Sequence, residues 1–132
     1  MAHLYTHIPR RRILIVDDDA AQRTMLGLIL TAEGYAVSHA DNGYDAAFLH
    51  NQKPFDLIIA ELFLDQEGGL QALMQLQRQP TPVNVIATAK EDLASASLCL
   101  HMTKHLGTQS VLGKPVKREE LLTAVRKALP QL

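Results

Sequence analysis

Short apolar runs recur along the chain, each bounded by polar residues. They lie at residues 13–16, 35–40, 57–60, 83–87 and 109–112. The best of them are continuous rather than alternating, which is typical of strands buried on both faces of a parallel sheet. The pattern therefore predicts five interior strands.

Amphipathic segments separate these runs and are predicted to be helices. They cover residues 20–33, 43–51, 69–79, 91–106 and 117–129. The first carries its apolar residues at helical spacing and stops at Gly34, a plausible residue just past a helix end. Five strand–helix units in series imply right-handed crossovers and helices on both faces of the sheet, an α/β fold.

Composition limits the functional classes. The chain has 132 residues and 47% hydrophobic residues, enough for one domain with a real core. We expect a tail over residues 1–10 and the domain over residues 11–130. The formal net charge of −1 gives no general attraction to nucleic acid or to an anionic membrane. The one local basic run, Arg10 to Arg12, is expected to be a solvated tail.

Cysteine usage and hydropathy bear on the compartment. Cys99 is the only cysteine, which excludes an intramolecular disulfide and favours a reducing compartment. No apolar run reaches the roughly 18 residues of a membrane span, and the N-terminus lacks a signal-peptide core. A cytoplasmic protein is the expectation.

Polar side chains follow four of the predicted strands. Asp17, Asp18 and Asp19 come after the first, Glu61 after the third, Thr88 after the fourth, and Lys114 after the fifth. The carboxyl ends of parallel strands meet at one rim of a sheet, so these residues should converge there. Because crowded carboxylates repel one another, a cation or an ammonium partner is expected among them.

These motifs, in this order, resemble the receiver domain of two-component response regulators. The signals are Asp17-Asp18, a strand ending on a carboxylate at Glu61, Thr88-Ala89, and Lys114-Pro115. The resemblance implies a flavodoxin-like (βα)5 sandwich with strand order 2-1-3-4-5. It also implies two-component signal transduction rather than enzymatic activity.

The resemblance assigns roles to individual residues. Asp17 and Asp18 would hold Mg²⁺ together with the acceptor carboxylate and the backbone carbonyl of Phe63, since Mg²⁺ prefers oxygen ligands. Lys114 would pair with the acceptor carboxylate. Thr88 would hydrogen-bond the phosphoryl group, with the small Ala89 leaving the attacking path open.

Glu61 departs from the family, which has an aspartate at this position. Its side chain is about 1.5 Å longer, and a misplacement of about 1 Å can lower a rate by ~10²-fold. We therefore predict that phosphotransfer is lost or very poor and that Mg²⁺ binding is weak or absent. Two interpretations stay open and equal: Glu61 is a permanent, partial phosphomimic, or the domain is a plain scaffold.

Other departures affect the switch. Val111 stands where receivers place an aromatic ring, and Asp65 replaces a proline usual in the loop after Glu61. The segment from Thr88 to Gly107 is longer than the family norm by about one helical turn. Together these changes favour constitutive signalling.

The expected partner is a protein: a histidine kinase, an effector or an output domain, docking on the 91–129 face. A homodimer stays open, as does whether the chain is one domain of a larger protein. A neighbouring aspartate as phosphoacceptor is one alternative function. A Mg²⁺-dependent phosphatase using Asp17 and Asp19 is another. A zinc site at His101 and His105 is disfavoured because no third ligand is in reach by sequence.

Overall fold

The computed structural model describes residues 10–62, 74–78, 83–90 and 108–130. Five parallel strands in these ranges form one sheet of order β2-β1-β3-β4-β5. The strands are β1 (Arg12–Val16), β2 (Ala36–Ala40), β3 (Leu57–Glu61), β4 (Val85–Lys90) and β5 (Thr108–Lys114). The predicted flavodoxin-like arrangement, including the strand order, is confirmed.

Among the described residues, three helices accompany the sheet: α1 (Ala20–Ala32), α2 (Gly43–Gln52) and α3 (Arg118–Ala128). A further helical turn covers residues 74–76. The predicted 91–106 helix and most of the predicted 69–79 helix lie outside the described residues. None of the described helices combines the length and the apolar character that crossing a bilayer requires.

The first helix begins and ends where its sequence indicates. Asp19 caps its start, because one carboxylate oxygen accepts from the backbone N–H groups of Ala21 (2.9 Å) and Gln22 (3.3 Å). Gly34 lies just past its end with φ of 94°, a conformation that glycine adopts without a steric cost. Asp19 is thus engaged in capping, and Gly34 is confirmed as the helix stop.

The core has two layers, one on each face of the sheet. Side chains alternate between faces along a strand, so Leu14 and Val16 join one layer while Ile13 and Ile15 join the other. Ile58 and Leu57 divide in the same way on β3. Burial of both faces explains why β1, β3 and β4 are largely continuous apolar runs.

The arginine run is not wholly a solvated tail. Arg12 begins β1, and its guanidinium donates to the carbonyls of Lys53 (2.9 Å) and Pro54 (2.6 Å) and lies over the ring of Phe55, 4.2 Å from its centroid. Arg11 donates to the carbonyl of Pro130 (3.1 Å). The expectation was wrong for these two arginines because the loops at the amino end of the sheet offer carbonyl and aromatic partners, which a local charge pattern cannot reveal.

Candidate functional site

Strand register brings the predicted polar residues to one rim. Glu61, the last residue of β3, lies beside Thr88 on β4. Asp17 follows β1, whose final residue Val16 lies beside Ala60. Lys114 ends β5 and lies beside Lys90 of β4. The sheet therefore places two carboxylates, a hydroxyl and an ammonium group at neighbouring strand ends.

The ammonium group of Lys114 contacts two carboxylates. It donates to Oδ2 of Asp17 at 2.8 Å and forms an ion pair with Oε2 of Glu61. Asp17 and Glu61 are only 1% and 5% exposed, whereas the Lys114 side chain is 19% exposed. One partly buried cation thus compensates two buried anions, which is what burial of charge requires.

Further hydrogen bonds hold the two carboxylates in place. Oδ1 of Asp17 accepts from the backbone N–H of Asp19 at 2.9 Å. The hydroxyl of Thr88, itself buried, donates to Oε2 of Glu61 at 3.5 Å, a long contact. Arg23 on α1 donates to the backbone carbonyl of Asp17. Both oxygens of Asp17 and one of Glu61 therefore already have donors.

The surroundings of Lys114 act on its pKa in opposite directions. Burial lowers the pKa, while the hydrogen bonds and charges of Asp17 and Glu61 raise it, and the pKa lies above its usual value. The ammonium group is therefore fully charged at neutral pH and acts as a permanent counter-ion at the rim.

The remaining predicted residues surround this cluster at different depths. Asp18 is exposed, and Ala89 is fully buried beside Gly113. Val111 is half-buried and packs against the core, and exposed Pro115 follows Lys114 through a cis peptide bond. Phe63, the expected backbone ligand, lies outside the described residues.

Two carboxylates of the rim are bound to Lys114 rather than grouped with further acidic side chains. Within the described ranges, no three His, Cys, Asp or Glu side chains come together as a metal site. The Asp17 and Glu61 oxygens that would face a metal are occupied by Lys114. A Mg²⁺ ion bound to these same two oxygens would compete with the ammonium group for them.

Sequence reasoning missed two contacts of Asp17. It paired Lys114 with Glu61 alone, although the ammonium also binds Asp17. The signal was present, since Lys114 is the one cation that the motifs place among several acids. The contact from Arg23 to the Asp17 carbonyl carried no sequence signal, because a backbone acceptor looks the same at every residue.

Comparison with known proteins identifies the family of the chain. The model of the response regulator receiver domain matches residues 13–126. The chain belongs to this family. Its general role is therefore that of a receiver domain in a two-component system.

Similar proteins agree with this assignment. The chain is 34% identical over 132 residues to the transcriptional regulatory protein GlrR of Escherichia coli, covering 99% of this chain and 28% of GlrR. It is 32% identical over 120 residues to the DNA-binding response regulator MtrA of Mycobacterium tuberculosis, covering 91% of this chain and 51% of MtrA. The chain thus spans about half of MtrA or less than a third of GlrR.

Solved structures show the same fold. The chemotaxis response regulator CheY4 of Vibrio cholerae superposes with a TM-score of 0.76 at 26% identity, over 92% of this chain and all of CheY4. The receiver domain of the sensor histidine kinase PA1611 of Pseudomonas aeruginosa gives 0.78 at 25% identity, over 93% of this chain and all of that domain. The PA1611 domain has a magnesium ion coordinated in its active-site cleft.

Proposed function

We propose that this chain is an atypical receiver that signals by protein–protein interaction, with Glu61 in place of a phosphorylated aspartate. One observation carries the proposal: Lys114 pairs with Glu61 and Asp17 at once. In this arrangement the cation of the site is bound to carboxylates before any phosphoryl group arrives.

The length of Glu61 supports loss of phosphotransfer. Attack on a phosphodonor needs the carboxylate oxygen in line with phosphorus at about 3–3.5 Å. The extra methylene carries the Glu61 carboxylate into contact with Lys114 and Thr88, the groups assigned to the phosphoryl oxygens. The nucleophile thus occupies the volume that its product would need.

The same contacts favour a permanent signalling state over a silent scaffold. Glu61 gives Lys114 and Thr88 an anionic acceptor at all times. A phosphoryl group would bring about 1.5–2 negative charges and three acceptor oxygens, so a single carboxylate imitates it only in part. We propose that the domain is held in one state rather than switched.

Magnesium would play a minor part. Asp17, Asp18 and Glu61 are the side chains that would approach an ion, and Lys114 competes for two of them. We propose weak Mg²⁺ binding that requires Lys114 to move, and no dependence of the resting state on the metal.

The proposed partner is a histidine kinase, an effector or an output domain. GlrR is a transcriptional regulator and MtrA a DNA-binding response regulator, so receivers related to this chain occur in gene-regulatory proteins. The proposed docking surface includes β5 and α3. Its 91–107 portion lies outside the described residues.

The alternative functions gain no support from the geometry. Asp56 lies at the opposite end of β3, where its Oδ2 accepts from the backbone N–H of Arg12 at 2.7 Å, so it cannot replace Glu61 at the rim. In the phosphatase alternative Asp17 and Asp19 would act together, but Asp19 caps α1 and Asp17 binds Lys114. Asp65 lies outside the described residues and is tested below.

The deciding experiment is incubation with acetyl phosphate and Mg²⁺ followed by intact mass analysis. We expect no stable phosphoryl adduct on the wild-type chain. An adduct that disappears in Glu61→Ala would show that glutamate accepts the group and would overturn the proposal. An adduct that survives Glu61→Ala but is lost in Asp65→Ala would assign the reaction to that neighbouring carboxylate.

A further inference from the structure

A groove lies beside the edge strand of the sheet, and one of its lining residues, Arg23, also contacts the backbone of Asp17 in the carboxylate–lysine cluster. It has a volume of about 370 Å³ and is open to solvent. Its walls come from α1, from the end of β2 and the residue after it, and from α2. The lining residues are Arg23, His39, Ala40, Asp41, Asp45, Phe48 and Leu49.

An exposed aromatic pair projects beside this groove. Tyr44 and Phe48 are 55% and 62% exposed, and their spacing of four residues on α2 puts them on one helix face. Phe48 also lines the groove. Clustered exposed aromatic surface of this kind is characteristic of protein interaction sites, where aromatic residues supply much of the binding energy.

The groove carries charges of both signs at fixed positions. Arg23 lies on the α1 wall, and Asp41 and Asp45 lie on the opposite wall. The amide of Asn42 donates to Asp41 at 2.6 Å and to Asp45 at 2.9 Å, which holds the two carboxylates together. The surface is thus preorganised as a basic wall facing an acidic wall.

Close packing also shapes the α1 wall. A Cβ on Gly27 would lie 2.9 Å from Cε1 of His39, too close for an ordinary contact. Gly27 therefore leaves room for the imidazole between α1 and β2, where His39 lines the groove.

We propose that this groove is a self-association surface whose occupant is a second copy of the chain. A two-fold interface uses the same patch on both subunits, so that patch must complement itself. Here Arg23 would face the partner's Asp45, with the reciprocal contact completing the pair. Phe48 would insert beside the partner's Phe48 between the two charged contacts.

Self-complementarity is what favours a second copy over an unrelated protein. A surface built for a basic or an acidic partner would carry one sign of charge. The groove proposed here is lined by one cationic side chain and two anionic ones, and Phe48 adds an aromatic anchor. The proposal does not depend on the proposed function, because phosphotransfer at Glu61 enters none of its steps.

Sedimentation velocity on the 132-residue chain, from about 5 to about 500 µM, tests the proposal. We expect a reversible dimer. Phe48→Ser should raise its dissociation constant by about tenfold or more, whereas Leu28→Ser should leave it unchanged. Leu28 is a matched control, since it is 68% exposed on α1 and does not line the groove.

A charge exchange tests the geometry. Arg23→Glu and Asp45→Arg should each weaken self-association by about tenfold or more, since each places like charges opposite one another. An equimolar mixture of the two variants should restore the dimer, because both contacts are then between opposite charges. Circular dichroism should show that each variant is folded.

Three results would overturn the proposal. They are a monomer at the highest concentration, equal effects of Phe48→Ser and Leu28→Ser, and a mixture of charge variants that stays monomeric. Phe48→Ser and Asp45→Arg test the interface even without Arg23→Glu. Arg23→Glu also removes a contact to the Asp17 carbonyl. The test therefore remains decisive if Arg23→Glu does not fold.

Discussion

The side chain of Glu61 is one methylene longer than that of aspartate, and this length sets where its carboxylate meets Lys114. Glu61→Asp should withdraw the carboxylate by about 1.5 Å and free the volume that it fills. We expect the variant to bind Mg²⁺ more tightly than the wild type, measured by calorimetry. Equal or weaker binding would contradict the geometric explanation.

Lys114 should contribute strongly to stability because it compensates two buried carboxylates. Lys114→Met keeps most of the side-chain volume but removes the charge, and should cost about 3 kcal/mol in urea unfolding at neutral pH. Glu61→Gln retains the Lys114–Asp17 pair and should change stability by less than about 1 kcal/mol. The double variant should lose less than Lys114→Met alone. A loss that is the same with and without Glu61 would contradict this account.

The pH dependence of this contribution follows from the raised pKa of Lys114, compared with its usual 10.5. The folded protein holds this proton more tightly than the unfolded chain does. The stabilisation is therefore complete below the unfolded value and is lost as pH rises through the folded pKa. The stability difference between wild type and Lys114→Met should stay constant near neutral pH and shrink only in strong alkali, as urea unfolding across pH would show.

At the scale of elements, α2 is joined to β3 by a buried histidine. Nδ1 of His50 accepts from the backbone N–H of Phe55 at 3.1 Å, and the two rings stack with centroids 6.2 Å apart. The guanidinium of Arg12 lies over the Phe55 ring. Burial, and then the charge of Arg12, lower the pKa of His50 from its usual 6.5.

This connection should make stability depend on mild acid. The unfolded chain takes up a proton on His50 more readily than the folded chain, so the stabilisation is present above about pH 6.5 and is lost as pH falls through the lowered folded pKa. Urea unfolding from about pH 8 to about pH 5 should show a steeper loss for wild type than for His50→Gln. Parallel curves would show that the pKa of His50 is the same in the folded and the unfolded chain, contrary to this explanation.

Most of the described elements could be predicted from the sequence. The ends of several strands differ from the predicted ends. Apolar runs placed all five strands, and the runs are continuous in β1, β3 and β4, where both faces of the strand are buried. Strand pairing continues into Glu61, Lys90 and Lys114. Hydrophobicity cannot detect such polar ends, because the ladder is made by the backbone.

At the scale of the whole molecule, the sequence could predict which residues share the rim but not how they pair. Strand order, which the family resemblance supplied, brings the ends of β1, β3 and β5, and with them Asp17, Glu61 and Lys114, to the same edge of the sheet. The contact of Lys114 with both carboxylates depends on the reach of its long, flexible side chain. The groove between α1 and α2 was not predicted, because its residues come from separate elements with no shared motif.

The rim and the groove meet at Arg23, which donates to the Asp17 carbonyl and also lines the groove. That contact goes to the backbone, not to the carboxylate that binds Lys114. We therefore expect Glu61→Gln to change the dimer dissociation constant by less than about twofold, as for independent sites. Sedimentation velocity of wild type and Glu61→Gln side by side measures this. A change of about tenfold would show instead that the charge at the rim controls assembly, with Arg23 as the contact that joins them.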